Sequence, residues 1–200
     1  MFVTIVWSAH ADASKNPPRV EIPSEPVTFQ QVYDTHIDYV WRTVCRLGIR
    51  GAAVQDVTQD VFLIVHRKLA EFEGRASVKT WLFRVVRRVV SDHRRTRRRK
   101  DGRTDGAVNV EQIPAAAESG PDVSAARAEA VRLLYQILDT LDEEKREVFI
   151  LAELDQWPAP QIAQALEINV NTVYSRLRLA REGFNLALAR HRARDRWRTT

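Results

Sequence analysis

Apolar residues recur at three- and four-residue spacing along most of the chain from Phe29 onward, the signature of helices with one buried face. Val32, His36, Tyr39, Val40, Val44 and Leu47 form a first such face, closed by Gly48 and Gly51. Val57, Val61, Phe62, Ile64, Val65 and Leu69 form a second. Val78, Trp81, Leu82, Val85, Val86 and Val89 form a third, which Ser77 is placed to cap. The period resumes at Ala128 with Val131, Leu134, Ile137, Leu138 and Leu141, then with Val148, Ile150, Leu151 and Leu154. Ile162, Ala163 and Leu166 follow, and after a three-residue break come Val173, Leu177, Ala180, Phe184 and Leu188. No two-residue alternation of useful length occurs, so the chain is predicted to be all-α.

Between the two helical stretches the character changes. Residues 101–126 hold Gly102, Gly106, Pro114, Gly120 and Pro121 without an apolar period. A structureless stretch of that length is improbable inside one compact domain, so it reads as a linker between two small helical domains. The predicted organisation is an N-terminal extension over 1–27, rich in proline, and a first domain over 28–100. A flexible acidic linker over 101–127, a second domain over 128–192 and a basic tail over 193–200 complete it.

Charge sharpens this picture. From Arg84 to Lys100 nine basic residues face a single acid, Asp92, so this stretch carries +8 while the whole chain carries only +5. The remainder therefore sums to −3, and the positive charge is concentrated on one helix. Many charge runs are only solvated faces, but this one grows from an amphipathic helix that fixes its geometry, which marks a polyanion site. A lone Cys45 excludes an internal disulfide framework. The five histidines show no metal-ligand spacing, and the reading calls for no metal, no cofactor and no catalytic group. No apolar run approaches the roughly 18 residues of a membrane span, and the N-terminal MFVTIVW lacks the basic flank of a signal peptide. A cytoplasmic location is expected.

A second nucleic-acid signal lies at 159–184, APQIAQALEINVNTVYSRLRLAREGF, which has the shape of a helix-turn-helix. A short helix ends at Leu166, Glu167-Ile168-Asn169 makes the turn, and Asn169 caps the next helix. The turn often takes glycine at a left-handed position, where this chain has Glu167. Val173 and Leu177 are predicted to face inward, leaving Asn171, Thr172, Tyr174, Ser175, Arg176 and Arg178 outward. Such side chains read base edges in the major groove, and Arg181, farther along, suits phosphate. Two readings compete with a promoter-binding one. A stand-alone helix-turn-helix regulator would need a dimer interface or ligand pocket, and a metal-dependent DNA enzyme would need clustered carboxylates or histidines.

In order along the chain, these motifs resemble the sigma factors of bacterial RNA polymerase, in the two-domain extracytoplasmic-function class. The resemblance covers about residues 29–97 and 129–190. Its landmarks are Asp56, Gln59, Asp60 and Phe62, then Phe72 with Gly74, the Thr80-Trp81-Leu82 run with Arg84, and Asp92 before the arginines. The segment LDEEKREVFILAELDQWPAPQIAQALEINVNTVYSRLRLARE matches the fourth conserved region of the family.

By this resemblance Asp56, Gln59, Asp60 and Phe62 would dock on the clamp coiled coil of the polymerase's largest subunit, with a further contact to its flap. Phe72, Arg75, Ser77, Lys79, Arg84, Arg87, Arg88 and Arg95 would hold the opened −10 strand. Asn171, Thr172, Tyr174, Ser175, Arg176, Arg178 and Arg181 would read the −35 duplex. The resemblance also implies an anti-sigma partner. The chain departs from the family pattern at Arg88, at Asn171 and at Trp157-Pro158-Ala159-Pro160, which stands where a polar lead-in is usual. Promoter elements about 17 base pairs apart lie roughly 58 Å apart at ~3.4 Å per pair. A flexible linker of ~25 residues spans only about 25–30 Å on average, so a large partner must hold it stretched.

Overall fold

The computed structural model describes residues 27–100 and 121–198, and all but the last residue of the predicted N-terminal extension and most of the predicted linker lie outside them. Seven α-helices and no strand occur among the described residues.

The first three helices form one unit. Helix α1 (Phe29–Arg46) starts at a reciprocal cap in which the Gln31 amide donates to Thr28 Oγ1 at 3.3 Å and the Thr28 amide donates to Gln31 Oε1 at 2.9 Å. It ends before Gly48, whose φ of +98° turns the chain back where a β-carbon would be strained. Helix α2 (Ala53–Lys68) follows, and a 3-10 turn at Leu69–Glu71 leads into the loop before α3 (Val78–Lys100). Ser77 caps α3 as the sequence predicted, its Oγ accepting from the Thr80 amide at 3.1 Å. Val40, Val44, Val57, Val61, Leu82 and Val86 are fully buried where the three helices meet. Each such side chain contributes roughly 1.5–3 kcal/mol relative to exposure.

The second unit begins earlier than the apolar period suggested, because α4 runs from Pro121 to Asp139. Proline suits the first helical position, where its missing N–H costs nothing. Asp142 caps α5 (Glu143–Phe149) by accepting from the Lys145 amide at 2.9 Å, and α5 passes into a π-helical turn at Ile150–Leu154. Helices α6 (Ala159–Leu166) and α7 (Val170–Arg198) complete the unit, so residues 193–198 of the predicted tail extend α7. Leu138, Ile150, Leu151, Ile162, Val173 and Ala180 form this core, and Phe184 stacks on Phe149 at 4.7 Å.

The two units pack against each other, and one buried apolar cluster runs through both. Helix α3 is the shared element. The face predicted to be buried meets α1 and α2, whereas Phe83 and Val90, which lie off that face, are buried too. The Phe83 ring sits 5.9 Å from the Trp157 ring, nearly edge-on, and α6 lies beside it.

Candidate nucleic-acid interface

On α2 the side chains Asp56, Gln59 and Asp60 are exposed together at i, i+3 and i+4. Phe62, expected beside them as a contact residue, is instead only 5% exposed. It falls on the inward stripe of α2, with its ring 4.7 Å from that of Tyr33 and edge-on to Phe29. The exposed apolar member of this face is Leu63, seven residues after Asp56 and 48% exposed. An exposed leucine at i+7 in a polar stripe is a signal that the sequence alone offered.

The expected strand-binding residues gather around the start and outer edges of α3, and their environments differ. Phe72 stacks on Trp81, centroids 5.2 Å apart, so the pair presents a broad aromatic surface at the loop. Arg75 is exposed and pairs with Glu73. Lys79 Nζ lies 4.7 Å from the Tyr39 ring and 5.9 Å from the Trp157 ring. Arg84 donates to the Gln164 carbonyl. Arg87 donates from Nε to Glu147 Oε1 at 2.7 Å. Arg88 is exposed, and Arg95 pairs weakly with its neighbour Asp92 at 3.1 Å. The structure thus separates the set: Lys79, Arg84 and Arg87 face the second unit, whereas Arg75, Arg88 and Arg95 face solvent.

Burial raises the Glu147 carboxyl above the ordinary range, and the Arg87 charge and hydrogen bond offset this only in part. Where the two units meet, burial lowers the pKa of the Arg146 guanidinium, while Asp139 works in the opposite direction.

The helix-turn-helix forms as the sequence predicted. Glu167 takes the left-handed position at φ +58° and ψ +43°, and its amide donates to the Ala163 carbonyl. A residue with a β-carbon costs roughly 1–2 kcal/mol there. Asn169 Oδ1 accepts from the Asn171 amide at 2.8 Å, and Val173 and Leu177 are buried. Asn171, Tyr174, Ser175 and Arg178 then form one uncovered stripe at i, i+3, i+4 and i+7, with Tyr174 57% exposed. Two predicted outward residues turn aside. Arg176 lies over α5 with Nη2 at 2.6 Å from Glu144, because it sits one helical turn past buried Val173. Arg181 reaches Glu153 at 2.6 Å. Thr172 is half-buried at the edge of the stripe.

Among the described residues no cluster of three or more His, Cys, Asp or Glu is arranged to hold a metal, and no helix is long and apolar enough to cross a membrane.

The chain matches the family described as Sigma-70 region 2 over residues 32–100 and that described as Sigma-70, region 4, over residues 132–182. It is 31% identical over 169 residues to the ECF RNA polymerase sigma factor SigL of Mycobacterium tuberculosis, covering 82% of this chain and 91% of that one. It is 29% identical to SigX of Bacillus subtilis, covering 73% and 76% respectively. The fold resembles the sigma factor RpoE of Bartonella quintana, solved in complex with the anti-sigma factor NepR. That likeness has a TM-score of 0.64 at 21% identity, over 80% of this chain and 96% of that one. It also resembles CnrH, solved with the cytosolic domain of CnrY, with a TM-score of 0.58 at 24% identity, over 80% and 87%.

Proposed function

The chain belongs to the sigma-70 family as an RNA polymerase sigma factor of the extracytoplasmic-function class, and we propose that it does its work through three separate surfaces. The exposed face of α2, with Asp56, Gln59, Asp60 and Leu63, docks on core polymerase. The loop at Phe72 and Arg75 together with Ser77, Lys79, Arg84, Arg87, Arg88 and Arg95 on α3 holds the opened −10 strand. The stripe Asn171, Tyr174, Ser175 and Arg178 on α7 reads the −35 duplex, with Thr172, Arg176 and Arg181 at its phosphate edges.

The division of labour follows from what each surface offers. A melted strand exposes base faces and a flexible backbone, which suit an aromatic pair such as Phe72 and Trp81 beside a row of arginines. A closed duplex exposes base edges in a groove wide enough for one helix, which suits a rigid, uncovered stripe of amide, hydroxyl and guanidinium groups. Strand separation is then held by binding the open form more tightly than the closed one, with no bond-making step required of the chain.

The observation that carries this reading is the uncovered stripe on the second helix of a helix-turn-helix, in the same chain as a helix ending in nine basic residues. RpoE of Bartonella quintana was solved with the anti-sigma factor NepR, which supports an anti-sigma protein as a further partner of this chain. Reconstitution with core polymerase followed by genome-wide mapping of transcript starts tests the proposal. New starts that share a −10 and a −35 element are expected. A chain that joins polymerase without moving the starts would overturn it.

A further inference from the structure

Helix α3 runs on past the helices that bury its first half. Val90 is the last buried residue among the described ones of α3, and beyond it Arg95, Arg98 and Arg99 are exposed. Ser91, Arg94, Arg95, Arg98 and Arg99 recur at i, i+3, i+4, i+7 and i+8, so they share one side of the helix. At the seam between the two units these side chains and Glu143 of α5 line a pocket of about 340 Å³. That volume lies at the lower end of the range of small-molecule sites, about 300–1,000 Å³.

Charge sets what such a pocket accepts. Four guanidinium groups against one carboxylate leave a net +3. Arg94 pairs with Glu143 at 2.9 Å, and Arg95 with its neighbour Asp92 at 3.1 Å. Arg98 and Arg99 have no acidic partner among the described residues. Like charges one turn apart on a helix repel each other, and both Arg94 with Arg98 and Arg95 with Arg99 stand at that spacing. An anion bound among them relieves this repulsion. Ser91 adds a hydroxyl able to donate to an anion's oxygen.

We propose that this pocket is a binding site for an oligophosphate, a chain of two or more linked phosphate groups, either free or carried by a nucleotide.

Two arguments support it. The first is charge density. A nucleic-acid strand carries one charge per nucleotide, with a sugar between successive phosphates, so it brings little charge into a pocket of this size. Linked phosphates bring several charges into the same space. The second is donor geometry. Guanidinium forks match phosphate oxygens two at a time, and α3 supplies two adjoining rows of them, Arg94 with Arg98 and Arg95 with Arg99. Neighbouring phosphates can therefore be held from two sides. The entering chain takes over Arg94, and Glu143, 44% exposed, turns to water. Arg95 also belongs to the set assigned above to the −10 strand, so on that reading a bound oligophosphate weakens strand binding.

Titration calorimetry of the full chain, in buffer without divalent cations, tests the site with inorganic tripolyphosphate, adenosine triphosphate and adenosine. Tripolyphosphate and the nucleotide are expected to bind, and adenosine is not. Equal affinities would assign the site to the phosphate chain alone. A tighter nucleotide would assign it to a nucleotide whose base or sugar adds contacts. Arg98→Ala/Arg99→Ala should weaken tripolyphosphate binding by about tenfold or more. Arg190→Ala/Arg192→Ala removes the same charge from α7 and should leave it nearly unchanged. Glu143→Gln should tighten it a few-fold. All five side chains are exposed, so these changes spare the cores.

No binding of tripolyphosphate at millimolar concentration, or an equal loss in the two double variants, would overturn the site. So would an Arg98→Ala/Arg99→Ala chain that loses affinity for random-sequence duplex DNA but keeps it for tripolyphosphate, since the pocket would then be a stretch of duplex-binding surface. The strand assignment is judged separately, by adding tripolyphosphate to the chain bound to a single-stranded oligonucleotide. If tripolyphosphate binds as expected without weakening the strand, the pocket stands and Arg95 leaves the strand-binding set.

Discussion

The two long basic helices, α3 and α7, have similar composition and opposite surroundings. Helix α3 is gripped on two sides, by α1 and α2 on one and by the second unit on the other, and three of its arginines end on acids or a carbonyl across the seam. Helix α7 is gripped along Val173, Leu177, Ala180 and Phe184, and its stripe of Asn171, Tyr174, Ser175 and Arg178 faces solvent. The lesson is that a count of arginines does not identify a free DNA-binding face. What matters is whether the acids needed to neutralise them are already in place. For Arg87 and Arg94 of α3 they are, whereas the arginine of the α7 reading stripe, Arg178, is paired with the exposed Glu182 one turn away. Such exposed pairs contribute little, roughly 0.2–1 kcal/mol, and yield readily to a phosphate or a base.

The largest expected effect breaks the covered side of this comparison. Arg87→Ala leaves the Glu147 carboxylate, 2% exposed, without its counter-charge. Arg87 itself is 42% exposed, so the loss is that of one partner of a half-buried charged hydrogen bond, about 1–3 kcal/mol, and chemical denaturation should show it. Replacing both residues, as Arg87→Met with Glu147→Leu, should recover most of it, because no charge is then left buried. Equal losses in the single and double variants would mean that the pair contributes by packing alone.

The next effect sharpens the uncovered side. Arg178→Ala should reduce discrimination at one base pair of the −35 element by about 1–2 kcal/mol. Arg176→Ala should leave base preference nearly unchanged and instead lower the salt dependence of binding, as expected of a residue turned toward Glu144 and the groove edge. Binding measured on a panel of single-base variants across several salt concentrations separates the two. A reversed pattern would mean that Arg176 leaves Glu144 to enter the groove.

These contrasts mark how far the sequence could be read. The helices, their caps and the helix-turn-helix were legible because each depends on local periodicity and on neighbours three or four residues away. The left-handed turn formed at Glu167 although no glycine signalled it, since buried Ile162, Ala163, Leu166 and Val173 fix the chain on both sides. The seam was not legible, because Phe83 and Val90 look like interruptions of a one-faced pattern unless a second buried face is supposed. Trp157 was visible as a departure from the family but had no local partner to explain it; its partner, Phe83, lies 74 positions earlier. At the site, polarity predicted exposure well for Asp56, Gln59, Asp60, Tyr174 and Arg178. It failed for Arg176, where position on the helix overrode residue type, whereas Phe62 keeps to the buried face that its period predicted and not to the docking role that the resemblance implied.

The smallest effect is a difference in how the two units respond to acid. His36, on α1, is half-buried, and burial and then the Lys79 charge lower its pKa below 6.5. The folded chain therefore binds fewer protons here than the unfolded one, so this contribution is present above pH 6.5 and is lost as pH falls through the folded value. Glu147, in the second unit, works the other way. Its folded pKa is raised above 4.5, so its contribution is present in acid and is lost as pH rises through the folded value. Thermal melts between about pH 8 and pH 5 should show His36→Gln losing less stability on acidification than the unaltered chain. Parallel curves for the two would mean that Lys79 and the α1 surface do not act on His36 in solution.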